Sequence, residues 1–230
     1  MESAMDKIRS ERGYLPAVDL FRDFTEEEVR EVERVTVLQH YAKGRLLYTP
    51  GETGEALFLL RQGAVQIYRM SAEGRKLVIA HLLPYSFFGE MSCIGQGMYD
   101  AYAEAIADAE VIVMNCADLE KLLISKPRVA LRILEAFGKR VIEAEQQLED
   151  IAFKGLVARL ASLLLREADE DGEVRGLSHR DIAERLGIYR ETATNGLKEL
   201  KAAGIINIGR KRIHITDRAR LKRAAEGGDR

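Results

Sequence analysis

Residues 177–203 read LSHRDIAERLGIYRETATNGLKELKAA, and this stretch decides the fold of the C-terminal part of the chain. Ser178 is a typical helix N-cap residue, and Asp181 follows it three positions later. Gly187 interrupts the helical pattern, and a second amphipathic segment runs from Arg190 to Leu200. Two short helices joined by a glycine-containing turn predict a helix-turn-helix motif.

The second predicted helix exposes side chains that suit base reading. Arginine offers two donors to guanine, glutamate accepts from cytosine N4, and the asparagine amide pairs with adenine, all in the major groove. Residues at the helix starts, such as His179 and Thr192, are placed for phosphate contacts. The competing interpretation is a plain pair of helices with a solvated polar face. The candidate DNA-binding residues of the two helices are Ser178, His179, Tyr189, Arg190, Glu191, Thr192, Thr194, Asn195 and Lys198.

Residues 204–216 favour DNA binding over the plain helix pair. Apolar runs at 204–208 and 213–216 flank the basic stretch Gly209-Arg-Lys-Arg212. A β-hairpin with a cationic tip, directly after a recognition helix, is typical of a winged helix-turn-helix. Arg210, Lys211 and Arg212 are therefore further candidate DNA-binding residues, suited to the phosphate backbone.

Charge is distributed unevenly along the sequence. The 230 residues carry a formal net charge of −2, but residues 1–154 sum to roughly −6 and residues 155–230 to roughly +4. The total excludes a uniformly basic nucleic-acid binder and is compatible with a basic DNA-binding domain at the C-terminal end. The length fits one or two domains.

The cysteine count and the hydropathy pattern indicate in which part of the cell the protein is expected. Cys93 and Cys116 are too few for a disulfide framework, for a four-thiolate iron–sulfur cluster or for an all-cysteine zinc site. The sequence contains no secretory signal and no run of 18 apolar residues. We therefore expect a cytoplasmic protein that does not associate with a membrane.

Residues 40–115 have a strand pattern. Short apolar or alternating runs, such as 56–60 and 111–114, are separated by recurrent glycines. This pattern is typical of an antiparallel sandwich or jelly roll. Before it, residues 15–38 predict a short helix that starts near Thr25.

Residues 127–152 show the most regular helical periodicity, because apolar residues recur at alternating spacings of three and four. A heptad seam with charged side chains on the other faces predicts a coiled coil with a second copy of the chain. The alternative is a helix packed on its own domain. The predicted dimer seam consists of Ala130, Leu134, Phe137, Val141, Ala144, Leu148 and Ile151.

The order of these parts resembles the Crp/Fnr family of bacterial transcription regulators. The resemblance rests on Phe88-Gly89-Glu90 in the glycine-spaced strands, on the hinge Ile151-Ala-Phe153, and most specifically on Tyr189-Arg-Glu-Thr192. It implies an α+β chain with three parts. These are an antiparallel β jelly roll similar to a cyclic nucleotide-binding domain (1–126), a long central dimerisation helix (127–152) and a winged helix-turn-helix (153–230).

The resemblance also implies partners and residue roles. In that family the arginine and glutamate of the Arg-Glu-Thr sequence read a G·C pair in each half of a palindromic DNA site, as a homodimer. RNA polymerase is a further partner implied by the family. Asn195 stands where many members have a second arginine, so the half-site is expected to differ.

The effector pocket departs from the members similar to the cyclic AMP receptor protein. In those, the Gly-Glu of Phe-Gly-Glu holds the ribose, and an Arg-Ser about ten residues later holds the cyclic phosphate. Residues 97–102 contain no cation here, and an aspartate in that stretch would repel a phosphate. Cyclic AMP binding in the usual mode is not expected. The candidate effector-pocket residues are Gly89, Glu90, Met91, Tyr99, Asp100 and Tyr102.

Other sensory groups are not predicted by the residues present. Two cysteines cannot hold an iron–sulfur cluster, and no spacing of metal ligands is visible. Haem ligation through His40, His81, Cys93 or Cys116 stays open, although each is more commonly a packing residue. Cys93 is also a candidate redox-sensitive thiol.

These patterns predict a non-enzymatic, sequence-specific DNA-binding regulator that responds to an unidentified effector. The sequence contains no nucleotide-binding or hydrolase motif. The alternative function is a regulatory protein with a cyclic-nucleotide-type domain that acts through a protein partner instead of DNA.

Overall fold

The computed structural model describes residues 15, 18–52, 56–93 and 101–227. Internal contacts divide the chain into two units, Met1–Arg69 with Ile79–Lys139, and Met70–Val78 with Arg140–Arg230. The three-part division at 126/127 and 152/153 stays a prediction. None of the described helices combines the length and the apolar character that crossing a bilayer requires.

Two antiparallel four-stranded sheets form a β-roll, as the strand pattern predicted. The strands are β1 (Thr36–Tyr41), β2 (Leu46–Tyr48), β3 (Ala56–Gln62), β4 (Val65–Met70), β5 (Lys76–Leu82), β6 (Phe87–Phe88), β7 (Tyr102–Ala105) and β8 (Ala109–Asn115). One sheet has the strand order β1-β8-β3-β6 and the other β2-β7-β4-β5.

The central strand β3 is buried on both faces. Leu57 and Leu59 pack in a cluster shared with neighbouring helices, whereas Phe58 and Leu60 pack inside the roll. This double burial explains why the sequence here is a continuous apolar run and does not alternate with polar residues.

A 3₁₀ helix and four α-helices accompany the roll in the described part of the chain. They are the 3₁₀ helix Asp19–Phe21, α1 (Glu26–Arg34), α2 (Glu90–Cys93), α3 (Cys116–Ser125) and α4 (Pro127–Phe153). The long helix expected at 127–152 is thus present as α4.

The expectation of helix through residue 38 is wrong. The helix α1 ends at Arg34, and β1 begins two residues later. Val37 lies opposite Val113 in an antiparallel pairing of β1 with β8. The β-branched run at the start of β1 therefore follows strand preference once a partner strand is available.

The two cysteines are joined, so the expectation of separate packed thiols is wrong. Cys93 is the last residue of α2 and Cys116 is the first of α3, and a disulfide links them with their Cα atoms 4.9 Å apart. Neither cysteine is a free redox-sensitive thiol or a thiolate available to haem. Their separation of 23 residues in sequence did not indicate that these two helix ends meet.

The second unit contains the predicted helix pair and hairpin, together with a strand that the sequence analysis missed. The elements are α5 (Leu156–Glu167), β9 (Glu173–Arg175), α6 (His179–Leu186), α7 (Arg190–Ala202), β10 (Ile206–Gly209), β11 (Arg212–Ile215) and α8 (Arg218–Ala225). A three-stranded sheet has the order β10-β11-β9, in which β9 is the unexpected strand.

The predicted start and turn signals of the helix pair are present. The Ser178 hydroxyl accepts from the Asp181 N–H over 3.2 Å, and the Asp181 carboxylate accepts from the Ser178 N–H over 2.7 Å. Gly187 ends α6 with a φ of 64°, in the left-handed region that favours glycine. Ile182 and Leu197 bury the inner faces of the two helices in one core.

Candidate nucleic-acid interface

One face of α7 is polar and open, and the opposite face is buried. Ala193, Leu197 and Leu200 bury the inner face in the core of the second unit. This amphipathic division is what holds α7 at the surface with its polar side outward. The residues that line an open groove on its outer side are Arg190, Glu191, Thr194, Asn195 and Lys198.

The cations near this groove fall into two groups. Between residues 176 and 216 the sequence has eight lysines and arginines. Arg180, Arg185 and Arg212 are paired, with Glu184, Glu167 and Glu173 respectively. In the described part of the chain no ion pair engages the other five, which are Arg190, Lys198, Lys201, Arg210 and Lys211.

The carboxylate and amide on the same face are also unengaged. Glu191 follows Arg190 directly in the sequence. The structure shows no hydrogen bond or ion pair between these two side chains, and none from either of them to another described residue. The Asn195 amide likewise has no hydrogen bond among the described residues. Donors and acceptors that satisfy no protein group are available for base edges.

One hydrogen bond joins α6 to α7, and a second one within α7 involves the same threonine hydroxyl. The Thr194 hydroxyl donates to the Arg190 carbonyl oxygen over 2.8 Å, and the His179 Nδ1 lies 3.0 Å from the same hydroxyl oxygen. Because the only hydroxyl proton goes to the carbonyl, His179 donates through Nδ1–H. This chain of bonds fixes the helix pair where recognition would take place.

Tyr189 and Thr192 complete the sequence-predicted residues of the helix pair. Tyr189 is the exposed N-cap residue of α7, and the Arg75 guanidinium carbon lies 5.3 Å from its ring centroid. Arg75 belongs to the segment Met70–Val78 of the same unit. Thr192 is half-buried in the first turn of α7.

The hairpin of β10 and β11 presents two of its three predicted cations at the turn. Arg210 and Lys211 form the turn, where Lys211 has a φ of 52°. Arg212 instead binds Glu173 of β9 with two hydrogen bonds, Nε to Oε2 over 2.5 Å and Nη2 to Oε1 over 2.7 Å. Its guanidinium therefore holds the hairpin against β9.

Glu173 is the functional-region residue that sequence reasoning missed. Besides Arg212 it contacts His214, whose Nδ1 lies 2.9 Å from Oε1. The hydrogen bonds from Arg212 are the main cause that lowers the pKa of Glu173 to about 2. The signal in the sequence is weak, because β9 has only three residues.

The predicted effector-pocket residues are only partly described. Tyr99 and Asp100 lie outside the described residues, as does the side chain of Met91. Glu90 is buried at the start of α2, and Tyr102 stacks on Tyr68 with ring centroids 4.9 Å apart.

Gly89 has a structural reason to be glycine. Its φ is 86°, and a Cβ there would lie 2.6 Å from the Ala56 carbonyl oxygen. Among the residues that the structure describes, no group of three or more histidine, cysteine, aspartate or glutamate side chains is placed to hold a metal ion.

The residues of the predicted dimer seam differ in their exposure along α4. Ala130 and Phe137 are half-buried, and Phe137 packs against the core of the first unit. Ala144 is exposed, and the other four residues of the seam are exposed as well. Their exposed fractions are 61% for Leu134, 55% for Val141, 66% for Leu148 and 58% for Ile151.

Comparison with known proteins agrees with this geometry. The model of the cyclic nucleotide-binding domain matches residues 38–126, and that of the Crp-like helix-turn-helix domain matches residues 158–224. The transcriptional regulator LdrP of Thermus thermophilus is 30% identical over 194 residues, which are 82% of this chain and 96% of that protein.

Two further relatives cover most of both chains. The cyclic AMP receptor protein of Thermus thermophilus is 28% identical over 209 residues, 90% of this chain and 97% of that protein. A solved CRP/FNR-family regulator from the same organism is 25% identical with a TM-score of 0.65, and the match covers 83% of this chain and 98% of that one. The chain therefore belongs to the Crp/Fnr family of DNA-binding transcription regulators.

Proposed function

We propose that two copies of the chain bind one palindromic DNA site, each with α7 in the major groove of a half-site. The observation that carries this proposal is that four side chains on the outer face of α7 have no partner among the described residues, namely Arg190, Glu191, Asn195 and Lys198. An arginine held by a carboxylate would have to break that pair before reading a base. The described residues impose no such cost on Arg190 or Glu191.

The chemistry of this face assigns roles. Arg190 donates to O6 and N7 of a guanine, and Glu191 accepts from N4 of the paired cytosine. Lys198 lies two helical turns further on and adds a cation to the same groove. Arg210 and Lys211 contact phosphates from the hairpin, and Arg212 keeps the hairpin in place through Glu173.

A second copy of the chain is the occupant proposed for the exposed stripe of α4. Leu134, Val141 and Leu148 recur every seven residues and are more than half exposed. Identical helices carry the complementary heptads, so a coiled coil would bury the stripe on both chains. The two-fold symmetry of such a dimer matches the symmetry of a palindrome.

The β-roll is the proposed sensing part, because the cyclic nucleotide-binding domain model covers it. An effector of unidentified chemistry would shift the population between two packings of the α4 seam, and hence change the spacing of the two recognition helices. The regulator acts on RNA polymerase as a partner, without catalysis, in the cytoplasm where the DNA is.

The Arg190→Ala variant tests the assignment. It should lose about 1–3 kcal/mol of binding free energy and relax specificity at one base pair, whereas Lys211→Ala should weaken binding to all sequences similarly. Binding of the purified full chain to genomic fragments, measured at two salt concentrations, distinguishes these patterns. Arg30→Ala, at an exposed arginine in α1, is the matched control and should bind as the wild type does.

Two outcomes would contradict the proposal. Absence of sequence-selective, salt-sensitive binding would favour the alternative regulator that acts through a protein partner. A uniform loss of affinity in both Arg190→Ala and Lys211→Ala would show that Arg190 does not read a base.

A further inference from the structure

We infer that the segment Met70–Val78 braces the helix-turn-helix, and that its contact with the turn between α6 and α7 increases the affinity for DNA. The segment joins β4 to β5 in sequence and belongs to the second unit. The inference rests on the proposed function, because it concerns the regulation of DNA binding by α7.

Two cations of the segment contact the two helices of the pair. The Lys76 Nζ lies 3.8 Å from Glu184 Oε2 in α6, and both side chains are only 16% exposed. This ion pair is therefore better shielded from water than an ordinary surface pair. The Arg75 guanidinium carbon lies 5.3 Å from the ring centroid of Tyr189, the N-cap residue of α7, which adds a cation–π attraction.

An apolar contact lies at the turn itself. Gly187 ends α6, and the Leu77 Cδ1 atom lies 3.1 Å from the position that a Cβ on this glycine would take. The Leu77 side chain thus packs directly on the residue at which the chain changes direction from α6 to α7. Because a few residues at such a turn absorb the backbone rotation when helices move, a side chain packed there restrains their relative orientation.

The contact leaves the outer face of α7 open. The groove on that face is lined by residues between Arg190 and Lys198, and none of the residues described between 70 and 78 lines it. Tyr189 remains 58% exposed beside Arg75. The docked segment therefore does not compete with DNA. It holds the start of α7 in place and so reduces the entropy lost when DNA binds.

The contact also connects β5 to the recognition helix by a route that does not include α4. Lys76 and Leu77 are the first two residues of β5, which belongs to a sheet of the β-roll. A change in that sheet that shifts β5 would move two of the three contacting residues. By linkage, an effector that favours docking of the segment raises DNA affinity, and bound DNA favours docking by the same factor.

Leu77→Ala tests the brace without a change of charge. It should weaken binding about threefold to tenfold, whereas Leu77→Met keeps the apolar contact and should bind within about twofold of the wild type. Ile79→Ala is the matched control and should bind as the wild type does. Ile79 is 44% exposed against 42% for Leu77, and it lies on the same face of β5. Affinities are measured with the full chain on a site selected from a random DNA library.

Glu184→Lys separates the brace from plain attraction between added cations and DNA. Attraction alone predicts tighter binding, whereas the brace predicts weaker binding, because the new cation repels Lys76. The measurement is made at high salt, which screens the exposed DNA contacts more than the partly buried pair. Adding Lys76→Glu removes positive charge and should nevertheless restore the affinity, because the ion pair forms again with reversed polarity. Arg180 loses its partner Glu184 in both variants, so their comparison isolates position 76.

Hydrogen exchange followed by mass spectrometry reports on docking itself. Leu77→Ala should accelerate exchange in residues 70–78 and 184–192 and leave the remaining chain as in the wild type, which distinguishes undocking from unfolding. Bound DNA should slow exchange of residues 70–78 in the wild type, because the coupling is reciprocal. Faster exchange of this segment in the complex would show that it leaves the turn when DNA binds, and would overturn the inference.

The failures of the inference and of the proposed function are distinguishable. If the wild type enriches no site from the library, the proposed function is wrong and the inference falls with it. If the wild type binds a selected site, the inference alone is overturned when Leu77→Ala binds at least as tightly as the wild type. The same conclusion follows if Ile79→Ala weakens binding as much as Leu77→Ala, or if Glu184→Lys binds more tightly than the wild type at high salt.

Discussion

Lys211 adopts a backbone conformation that is unfavourable for residues other than glycine. Its φ of 52° lies in the left-handed region, which costs a non-glycine residue about 1–2 kcal/mol. Such a cost is expected where the side chain has a function, and the proposed contact of the ammonium group with a DNA phosphate is one. In the part of the chain that the structure describes, no carboxylate engages this lysine.

We predict opposite effects of Lys211→Gly on stability and on DNA affinity. Relief of the strained φ should raise the free energy of unfolding by up to about 1 kcal/mol. Loss of one phosphate contact should weaken binding to every sequence and reduce the slope of log K against log salt by about 1. Urea unfolding and salt titrations measure the two effects, and an unchanged salt slope would contradict the phosphate contact.

Glu173 makes the stability of the winged helix-turn-helix depend on pH in the acidic range. Its pKa in the fold is about 2, below the ordinary value of 4.5, because Arg212 donates two hydrogen bonds to the carboxylate. A lowered folded-state pKa means that the pairing stabilises the fold fully above about pH 4.5 and that this contribution is lost as the pH falls towards about 2.

Glu173→Gln should therefore make the stability of the protein less dependent on pH in the acidic range. The variant should unfold at lower temperature than the wild type at neutral pH, and the difference should shrink between about pH 4.5 and about pH 2. Thermal unfolding midpoints over this range are the measurement. A difference that stays constant over the range would show that the ion pair with Arg212 is not its cause.

At the scale of elements, a disulfide connects the end of α2 to the start of α3. Cys93 and Cys116 close a loop over 23 residues of sequence, for which chain entropy predicts about 3 kcal/mol of stabilisation. We predict that a reductant lowers the free energy of unfolding of the wild type by about this amount. The double variant Cys93→Ser with Cys116→Ser should start lower and should not respond, whereas an equal response of both proteins would contradict the role of the disulfide.

Elements with a strong pattern of their own were predictable from sequence, whereas elements defined by a distant partner were not. The helices α6 and α7 carry their own cap, turn and apolar spacing. In contrast, β9 has three residues and exists because it pairs with β11, with Val174 opposite Ile213. The same pairing brings Glu173 to Arg212 across 39 residues, so a cation expected at the DNA surface holds the hairpin instead.

At the scale of the whole molecule, only part of the positive charge of the C-terminal region is available to DNA. The net charge of residues 155–230 is roughly +4, but three of the eight lysines and arginines between residues 176 and 216 are held by carboxylates. The salt dependence of binding should therefore reflect the five cations of that segment that no ion pair engages among the described residues, and not its full count of eight.

If the proposed dimer forms through the exposed stripe of α4, DNA affinity should depend on dimerisation. A Leu148→Arg variant would place two like charges in the seam, which should convert the dimer to a monomer. The monomer binds one half-site at a time, so its affinity for the full palindrome should fall at least tenfold, while its affinity for an isolated half-site is retained. Gln146→Arg adds the same charge to an exposed position of α4 away from the seam, so it should stay dimeric and bind as the wild type does. Sedimentation and binding to full and half sites measure both properties, and a Leu148→Arg protein that remains dimeric would place the dimer interface elsewhere.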